Sequence, residues 1–179
     1  MRTQRLMAGG RFTEVTRDLC NALGVKHRLL PMSDDPFPTM IEAAVENDKK
    51  EVLPFQEWLV KRHAPPVKRI FHEANGKATR DVLDALRASD YVLIGPSNPY
   101  VSIFPILQLA KVRGILEKKV VIAVSPIVGG KAVKGPLAEM IHELGGEEAS
   151  AAAIVKLYDG LLTAIVVETG DGRGIDIPT

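Results

Sequence analysis

Residues 91–124 read YVLIGPSNPYVSIFPILQLAKVRGILEKKVVIAV, which is two apolar runs with a helical pattern between them. The runs cover 91–94 and 120–124. Short strands that are apolar throughout are typical of a parallel sheet that is buried on both faces. The helical pattern spans 103–116, with Pro105 in its first turn, where proline is tolerated. The stretch therefore predicts a β-α-β unit with a right-handed crossover.

The alternation of strands and helices extends on both sides of this unit. A helix is predicted over 79–88 before it, and helices over 136–144 and 150–158 after it. A third buried strand is predicted over 162–167, followed by a loop-like tail. We expect an α/β fold: a three-layer, Rossmann-like parallel sheet with helices on both faces.

The N-terminal third predicts a small helical and hairpin addition. A helix over 14–23 has Thr13 as a candidate N-cap and Gly24 beyond its end. Residues 39–46 and 50–53 favour a hairpin, with a short helix as the alternative. The other predicted elements are a strand over 25–32, a helix over 55–62, a strand over 67–73 and a turn at 75–76. We interpret residues 1–179 as a single α/β domain, with a helical segment over 1–24 and the Rossmann-like part over 25–179.

Composition excludes several classes of protein. The 179 residues are 46% hydrophobic and 25% charged, which is ordinary globular usage. Lys and Arg number 23 and Asp and Glu 22, so the basic excess of a nucleic-acid-binding protein is absent. No apolar run is long enough to span a membrane, and the N-terminus lacks the apolar core of a secretory signal. With the single cysteine Cys20, these features predict a cytoplasmic protein without nucleic-acid or membrane partners.

The loop after the first apolar strand is a candidate nucleotide- or phosphate-binding segment. Gly95 allows a ligand to approach the backbone closely, and Ser97 and Asn98 offer side-chain donors. Backbone N–H groups where the next helix begins favour an anion. A proline-rich turn that only caps the helix is the alternative. The candidate residues are Gly95, Pro96, Ser97, Asn98 and Pro99.

The loop over residues 125–135 follows the second apolar strand and precedes a predicted helix, as the 95–99 loop does after the first strand. It is rich in glycine and carries two lysines, whose ammonium groups suit phosphate as point charges. The Walker A pattern does not occur in it. A flexible surface loop with solvated lysines is the alternative. The candidate residues are Ser125, Gly129, Gly130, Lys131 and Lys134.

A third candidate segment is Met32, Ser33, Asp34 and Asp35. Adjacent carboxylates bind a metal, a purine edge or a sugar hydroxyl, but they also start turns. The four histidines are scattered without metal-ligand spacing, so the residues themselves predict no metal site.

The two loops resemble one known family. GPSNPYVSIFPIL (95–107) together with AVSPIVGGKAVKGP (123–136) resembles the 2-phospho-L-lactate transferase family, also called CofD. TEVTRDLCNALGV (13–25), LLPMSDD (29–35) and FQEWLVKR (55–62) fit the same family in the same order. The resemblance covers nearly the whole chain.

The resemblance implies a transferase of coenzyme F-420 biosynthesis. It would transfer a phospholactyl or phosphoenolpyruvyl group from a guanosine-diphosphate-activated donor to the deazaflavin FO and release GMP. It implies that 95–99 contacts the nucleotide or its phosphates, that 125–135 closes over the phosphates, and that 32–35 lines the acceptor or base pocket. It also implies Mg²⁺, which would neutralise the diphosphate, and a possible homodimer.

The resemblance also has departures. The family begins with a strand, a Gly-rich turn and acidic residues that look like metal ligands, and this chain opens well inside that pattern. The final GDGRGIDIPT matches weakly. We therefore expect a chain truncated at its N-terminus and shortened at its C-terminus, with the magnesium ligands in the absent N-terminal part. The alternative functions are a noncatalytic nucleotide- or metabolite-binding regulator and an inactive remnant.

Overall fold

The computed structural model describes residues 2–45, 49–72 and 76–179. Their strands form an antiparallel sheet, a parallel sheet and a short hairpin. In chain order, the helices are α1 (Arg2–Met7), α2 (Phe12–Ala22), α3 (Arg80–Ala88), α4 (Phe104–Leu107), α5 (Val112–Leu116), α6 (Leu137–Gly145) and α7 (Ala151–Leu157). The strands are β1 (Thr39–Ala44), β2 (Lys50–Pro54), β3 (Val67–His72), β4 (Tyr91–Ile94), β5 (Val120–Val124), β6 (Ile127–Val128), β7 (Lys131–Ala132) and β8 (Ala164–Val166). Two π-helical segments cover Glu57–Lys61 and Pro99–Ile103.

The antiparallel sheet has the strand order β2-β1-β3. Ile41 at its centre lies opposite Leu53 on one side and Ile70 on the other. Ile41 and Leu53 are buried, in a small core that also contains Trp58. The hairpin prediction is therefore confirmed over its described residues, and the alternative of a short helix is wrong.

The parallel sheet has the order β4-β5-β8. The predicted strands 91–94 and 120–124 are confirmed with these bounds, and the third strand is shorter than predicted, at Ala164–Val166. β4 pairs with β5 from Tyr91 opposite Val120 onward. Because all three strands are parallel, the segments that follow them meet at one edge of the sheet.

The main core lies between this sheet and helices α4 to α7. Val121, Ala123 and Ile165 contribute the sheet side, while Val112 and Ile154 come from the helices. The α/β class is thus confirmed. The face that carries Val121, Ala123 and Ile165 packs on these helices, while Tyr91 and Leu93 on the opposite face of β4 are exposed.

Helix α6 connects the two sheets. Its Met140 packs in the small core with Trp58, while its Ile141 belongs to the main core. The Glu143 carboxylate accepts a hydrogen bond of 2.8 Å from the backbone N–H of Val67 in β3. The N-terminal hairpin unit is therefore anchored next to the parallel sheet.

Some sequence expectations require correction. Residues 25–32 form no strand. The stretch is apolar but has no neighbouring strand to pair with in the described part of the chain, and Val25 and Leu29 are exposed. The helix predicted over 103–116 is interrupted at Lys111, whose φ of 73° lies in the left-handed region. Thr13 lies inside α2, so it is not the N-cap.

The other elements agree with their predictions. Gly24, with φ of 67°, follows α2 as predicted, and a π-helical segment lies within the helix predicted over 55–62. The strand predicted over 67–73 is observed as Val67–His72. Asn75 of the predicted turn lies outside the described residues, as does Glu73. In the part of the chain that the structure describes, every helix falls short of the length and apolarity needed to cross a bilayer.

Candidate functional site

The loops after β4 and β5 lie side by side at the carboxyl edge of the parallel sheet. This is where ligands bind in open α/β sheets. Gly95 and Pro96 are exposed, and Ser97 is half-buried. A Cβ atom built on Gly95 would have no neighbour within 4 Å, so the backbone at this position is open to an approaching molecule.

Asn98 organises the first loop from within. Its Oδ1 atom accepts a hydrogen bond of 3.0 Å from the backbone N–H of Tyr100 and caps the π-helical segment that starts at Pro99. Its Nδ2 atom lies 3.2 Å from the Sδ atom of Met140 in α6. Both ends of the Asn98 amide are therefore engaged by the protein, and Pro99 is buried. This loop therefore does cap a helical segment, as the alternative interpretation of the sequence held. Ser97, beside Asn98, is half-buried.

The second loop contains a hairpin that the sequence did not reveal. Strands β6 and β7 pair around Gly129 and Gly130, whose φ angles of 55° and 75° give a tight turn that suits glycine. Ser125 is buried and holds the base of the hairpin. Its hydroxyl accepts a hydrogen bond from the N–H of Ile127 at 3.1 Å and donates one to the Ile127 carbonyl at 2.8 Å. Ser125 therefore shapes this loop from inside.

Lys131 lies in β7 and Lys134 lies two residues beyond the hairpin, and both lysines are exposed. The turn is fixed from the C-terminal tail, because the Asp171 carboxylate accepts a 2.8 Å hydrogen bond from the N–H of Gly129. Two exposed ammonium groups in this loop are suited to the phosphates of a ligand.

Sequence reasoning missed residues that border these loops. Tyr100 is half-buried, and burial together with the charge of Glu147 raises the pKa of its phenol. Glu147 itself pairs with Lys156 at 2.9 Å. Tyr100 directly follows the Ser-Asn-Pro sequence, a signal that could have found it. The only sequence signal at Asp171 is that it is followed by Gly172, a pair that is typical of turns.

The segment 32–35 lies with the N-terminal helices. It lines a cleft of about 360 Å³ together with Arg2, Leu6 and Phe12 of α1 and α2. The Ser33 hydroxyl is buried and accepts a 3.0 Å hydrogen bond from the N–H of Asp35. The Met32 carbonyl accepts one from Thr79. The Met32 side chain is half-buried against the main core, and Asp35 is exposed.

Asp34 holds the start of α2. One carboxylate oxygen accepts hydrogen bonds from the Thr13 N–H at 2.7 Å and from the Thr13 hydroxyl at 2.8 Å. The other accepts from Arg11 Nη2 at 2.7 Å and from Arg11 Nε at 3.2 Å. Burial acts to raise the pKa of Asp34, but these hydrogen bonds outweigh it and the pKa lies below its ordinary value. Asp34 is therefore an ionised, fully engaged cap for a helix that starts far from it in sequence.

A metal ion does not fit the residues present. Across residues 2–45, 49–72 and 76–179, the His, Cys, Asp and Glu side chains nowhere form a group of three that could hold one. The carboxylate of Asp34 in segment 32–35 already accepts bonds from Thr13 and Arg11. We therefore derive no catalytic step through magnesium from these residues.

Comparison with known proteins decides the family. The family model described as 2-phospho-L-lactate transferase CofD matches residues 1–174. The chain belongs to the CofD family. Among curated relatives of this CofD chain, the 2-phospho-L-lactate transferase of Methanosarcina mazei is 36% identical over 174 residues, which cover 96% of this chain and 55% of the relative. That of Methanocaldococcus jannaschii is 35% identical, over 95% of this chain and 55% of the relative. The chain thus spans about half the length of the curated CofD relatives it matches.

Solved structures share the fold of this chain. A crystal structure of a member of the UPF0052 family from Bacillus halodurans superposes with a TM-score of 0.62 at 17% identity. The match covers 92% of this chain and 50% of that chain. A second structure of a Bacillus halodurans protein gives a TM-score of 0.59 at 16% identity, over 98% of this chain and 60% of that one. At this identity, the likeness concerns the fold.

Proposed function

We propose that this chain supplies the nucleotide-binding loops of a 2-phospho-L-lactate transferase of coenzyme F-420 biosynthesis. Membership of the CofD family supports the reaction class. The observation that carries the assignment of the site is the adjacent placement of the 95–99 loop and the lysine-bearing hairpin at the carboxyl edge of the parallel sheet.

The proposed donor is a guanosine-diphosphate-linked phospholactate or phosphoenolpyruvate, and the proposed acceptor is the deazaflavin FO. The hydroxyl oxygen of FO forms a bond to the phosphorus of the transferred group. The bond between that phosphorus and the oxygen of GMP breaks, and the hydroxyl proton leaves. Catalysis of this kind depends on positioning and on neutralising charge. Lys131 and Lys134 supply positive charge, while the open backbone at Gly95 lets the nucleotide approach closely.

The residues of segment 32–35 have a narrower proposed role than their sequence suggests. Asp34 and Ser33 already hold protein groups and Met32 packs against the main core, so contact with the acceptor is proposed for Asp35 and for the exposed part of Met32. Magnesium remains a proposed partner of the diphosphate, with ligands outside the described residues. We propose the cytoplasm as the location, in keeping with the single cysteine, which forms no disulfide within the chain.

Calorimetric titration with GDP tests the assignment. We expect the K131A/K134A variant to bind GDP about tenfold more weakly per lysine removed, since a bond to a charged group contributes roughly 1.5–3 kcal/mol. The matched control is K68A/K118A, which removes two exposed lysines away from these loops. Equal affinities of the two double variants would refute the phosphate role of the hairpin.

Gly95→Ala gives a second measurement in the same titration. The added methyl group meets nothing within 4 Å, so the variant should fold as the parent does. If the nucleotide lies against this backbone, the methyl group occupies its space and affinity falls. Gly114→Ala is the control, because its added methyl group also meets nothing and it lies in α5. A nucleotide affinity unchanged by Gly95→Ala would place the ligand elsewhere.

A noncatalytic nucleotide-binding protein is the second candidate. The observation that favours it is that the chain spans about half the length of the curated transferases it matches. Chromatographic detection of GMP release from the activated donor in the presence of FO separates the two candidates. Release supports the transferase, and binding of GDP without any release supports the second candidate.

A further inference from the structure

A carboxylate of the protein occupies a backbone donor in the turn between β6 and β7. The N–H of Gly129 in this turn donates a 2.8 Å hydrogen bond to the Oδ2 atom of Asp171. Gly129 and the nearby Lys131 are exposed, while Asp171 is half-buried. Backbone N–H groups in turns bind anionic oxygens, whether these belong to a carboxylate or to a phosphate. Asp171 therefore takes a donor that this loop would otherwise offer to a phosphate.

Asp171 lies in a short glycine-rich segment, residues 168–174, that follows β8 and is called the strap below. Its sequence is ETGDGRG, so glycine stands on both sides of Asp171. Gly170 and Gly174 have φ angles of 96° and 73°, in the region that favours glycine. Glycine changes between backbone conformations with less steric hindrance than any other residue. The strap is therefore suited to moving Asp171 by rotation about its glycines.

The strap is held at both ends, and Asp171 holds it in the middle. At one end, β8 is paired with β5 in the parallel sheet. Beyond the other end, Ile175 and Ile177 pack against the main core. Between these two points, the bond from Gly129 to Asp171 joins the strap to the hairpin. Loss of this bond would free the strap while its two ends stay in place.

A phosphate and the Asp171 carboxylate compete for the same donor. A backbone N–H has one hydrogen to donate, and two anions in contact repel each other. The exposed ammonium groups of Lys131 and Lys134 would draw a phosphate to this loop. A phosphate that takes the N–H of Gly129 therefore has to displace Asp171.

We propose that Asp171 is an internal competitor of the phosphates of the ligand. In the free chain its carboxylate occupies the N–H of Gly129, and a bound phosphate releases it together with the strap. This inference rests on the proposed function, since it takes the phosphates of the nucleotide to lie at this loop. A ligand that binds only the released form has its affinity lowered by the fraction of chains in that form. The contact therefore weakens GDP binding, and GDP binding opens the strap.

Calorimetric titration with GDP measures the competition. Asp171→Ala removes the carboxylate, and we expect this variant to bind GDP at least about threefold more tightly than the parent chain. Asp176→Ala is the matched control, because it removes an exposed carboxylate that lies beyond the strap, and its affinity should equal that of the parent. Equal or weaker binding by Asp171→Ala would show that Asp171 braces the turn, and the proposal would be wrong. It would also be wrong if both variants gained equally, since the general loss of negative charge would then explain the gain.

Cleavage by trypsin after Arg173 reports the release of the strap. Arg173 is exposed within the strap, and proteolysis of a segment that opens rapidly follows the fraction of chains in which it is open. We expect Asp171→Ala to be cleaved there at least about threefold faster than the parent without ligand, and saturating GDP to speed cleavage of the parent. Cleavage after the exposed Lys26 is the internal control and should stay constant. Equal cleavage of the two ligand-free chains after Arg173 would overturn the proposal.

Inorganic pyrophosphate separates a failure of this proposal from a failure of the proposed function, because it carries the phosphates without the nucleoside. If GDP binds neither chain but pyrophosphate speeds cleavage of the parent after Arg173, the nucleotide assignment fails and the competition stands. If neither GDP nor pyrophosphate speeds this cleavage, the competition is overturned, whatever the affinity for GDP.

Discussion

Replacing Asp34 with alanine should destabilise the fold through helix α2. Asp34 lies well outside α2, yet its carboxylate accepts hydrogen bonds from the N–H and the hydroxyl of Thr13 in the first turn of the helix. Thr13 is 7% exposed, so water does not replace these bonds readily. Loss of a helix cap costs about 1 kcal/mol, and an unsatisfied buried hydroxyl costs about 1 kcal/mol more. The expected loss is therefore roughly 2 kcal/mol, which for a chain of this size lowers the Tm by about 4–8 °C.

The assay is thermal and urea unfolding of the parent chain, Asp34→Ala and the control Asp35→Ala. Asp35 is the exposed neighbouring carboxylate, so its removal should leave stability within about 0.5 kcal/mol. If both variants unfolded at the same temperature, the assignment of Asp34 as the cap of α2 would be wrong.

The pH dependence of the Asp34 effect has a defined sign. The pKa of Asp34 is lowered in the folded chain, against the effect of its own burial, by its bonds to Thr13 and Arg11. A lowered folded-state pKa stabilises the fold above the ordinary carboxyl pKa of about 3.9, and this contribution disappears as pH falls through the folded-state value. The free-energy difference between the parent and Asp34→Asn should therefore shrink below about pH 4. A difference that grew on acidification would contradict this.

Two further predictions concern packing and ionisation. Gly76→Ala should lower the free energy of unfolding by about 1–3 kcal/mol in a urea titration. The added methyl carbon would lie 2.6 Å from a side-chain atom of Leu109 and 2.8 Å from one of Phe37. The control is Gly114→Ala, whose methyl group meets nothing within 4 Å, so its stability should be unchanged or slightly higher. Burial raises the pKa of Tyr158 to about 12, so the stability that it contributes is present below the ordinary tyrosine pKa near 10 and is lost as pH rises toward 12. Phenolate absorbance should show a late-titrating group that Tyr158→Phe removes, and an unchanged titration curve would contradict the burial of this side chain.

The parallel strands could be predicted because their sequence pattern fits few other structures. Residues 91–94 and 120–124 are short, wholly apolar and bounded by turns, so strands buried in a parallel sheet are the structure that fits. The same pattern cannot show that Tyr91 and Leu93 are exposed on one face of β4. That outcome depends on the direction in which the crossovers run, which is a property of the whole topology. Residues 25–32 were predicted as a strand and form none. An apolar stretch does not indicate whether a neighbouring strand is available to pair with it.

The positions of the two loops at one edge of the parallel sheet could be predicted, but the hydrogen bonds within them could not. The glycine and lysine pattern after the second strand indicated a ligand loop, but not that Gly129 and Gly130 form a hairpin turn held by Asp171. Asp34 is an acceptor-binding candidate by the family resemblance, and its adjacent carboxylates alone are compatible with either a ligand site or a turn. Its bonds to Thr13 cross 21 residues, and nothing in the local pattern reveals such a partner.

Thermal unfolding with and without GDP tests the central claim most directly. A ligand at about 100 times its Kd adds roughly 2.7 kcal/mol to the free energy of unfolding, which corresponds to a rise in Tm of about 5–10 °C for this chain. We predict this rise with GDP for the parent chain and a clearly smaller rise for K131A/K134A at the same concentration. A cooperative transition whose Tm does not change with GDP would contradict the claim that the loops after β4 and β5 form a nucleotide site.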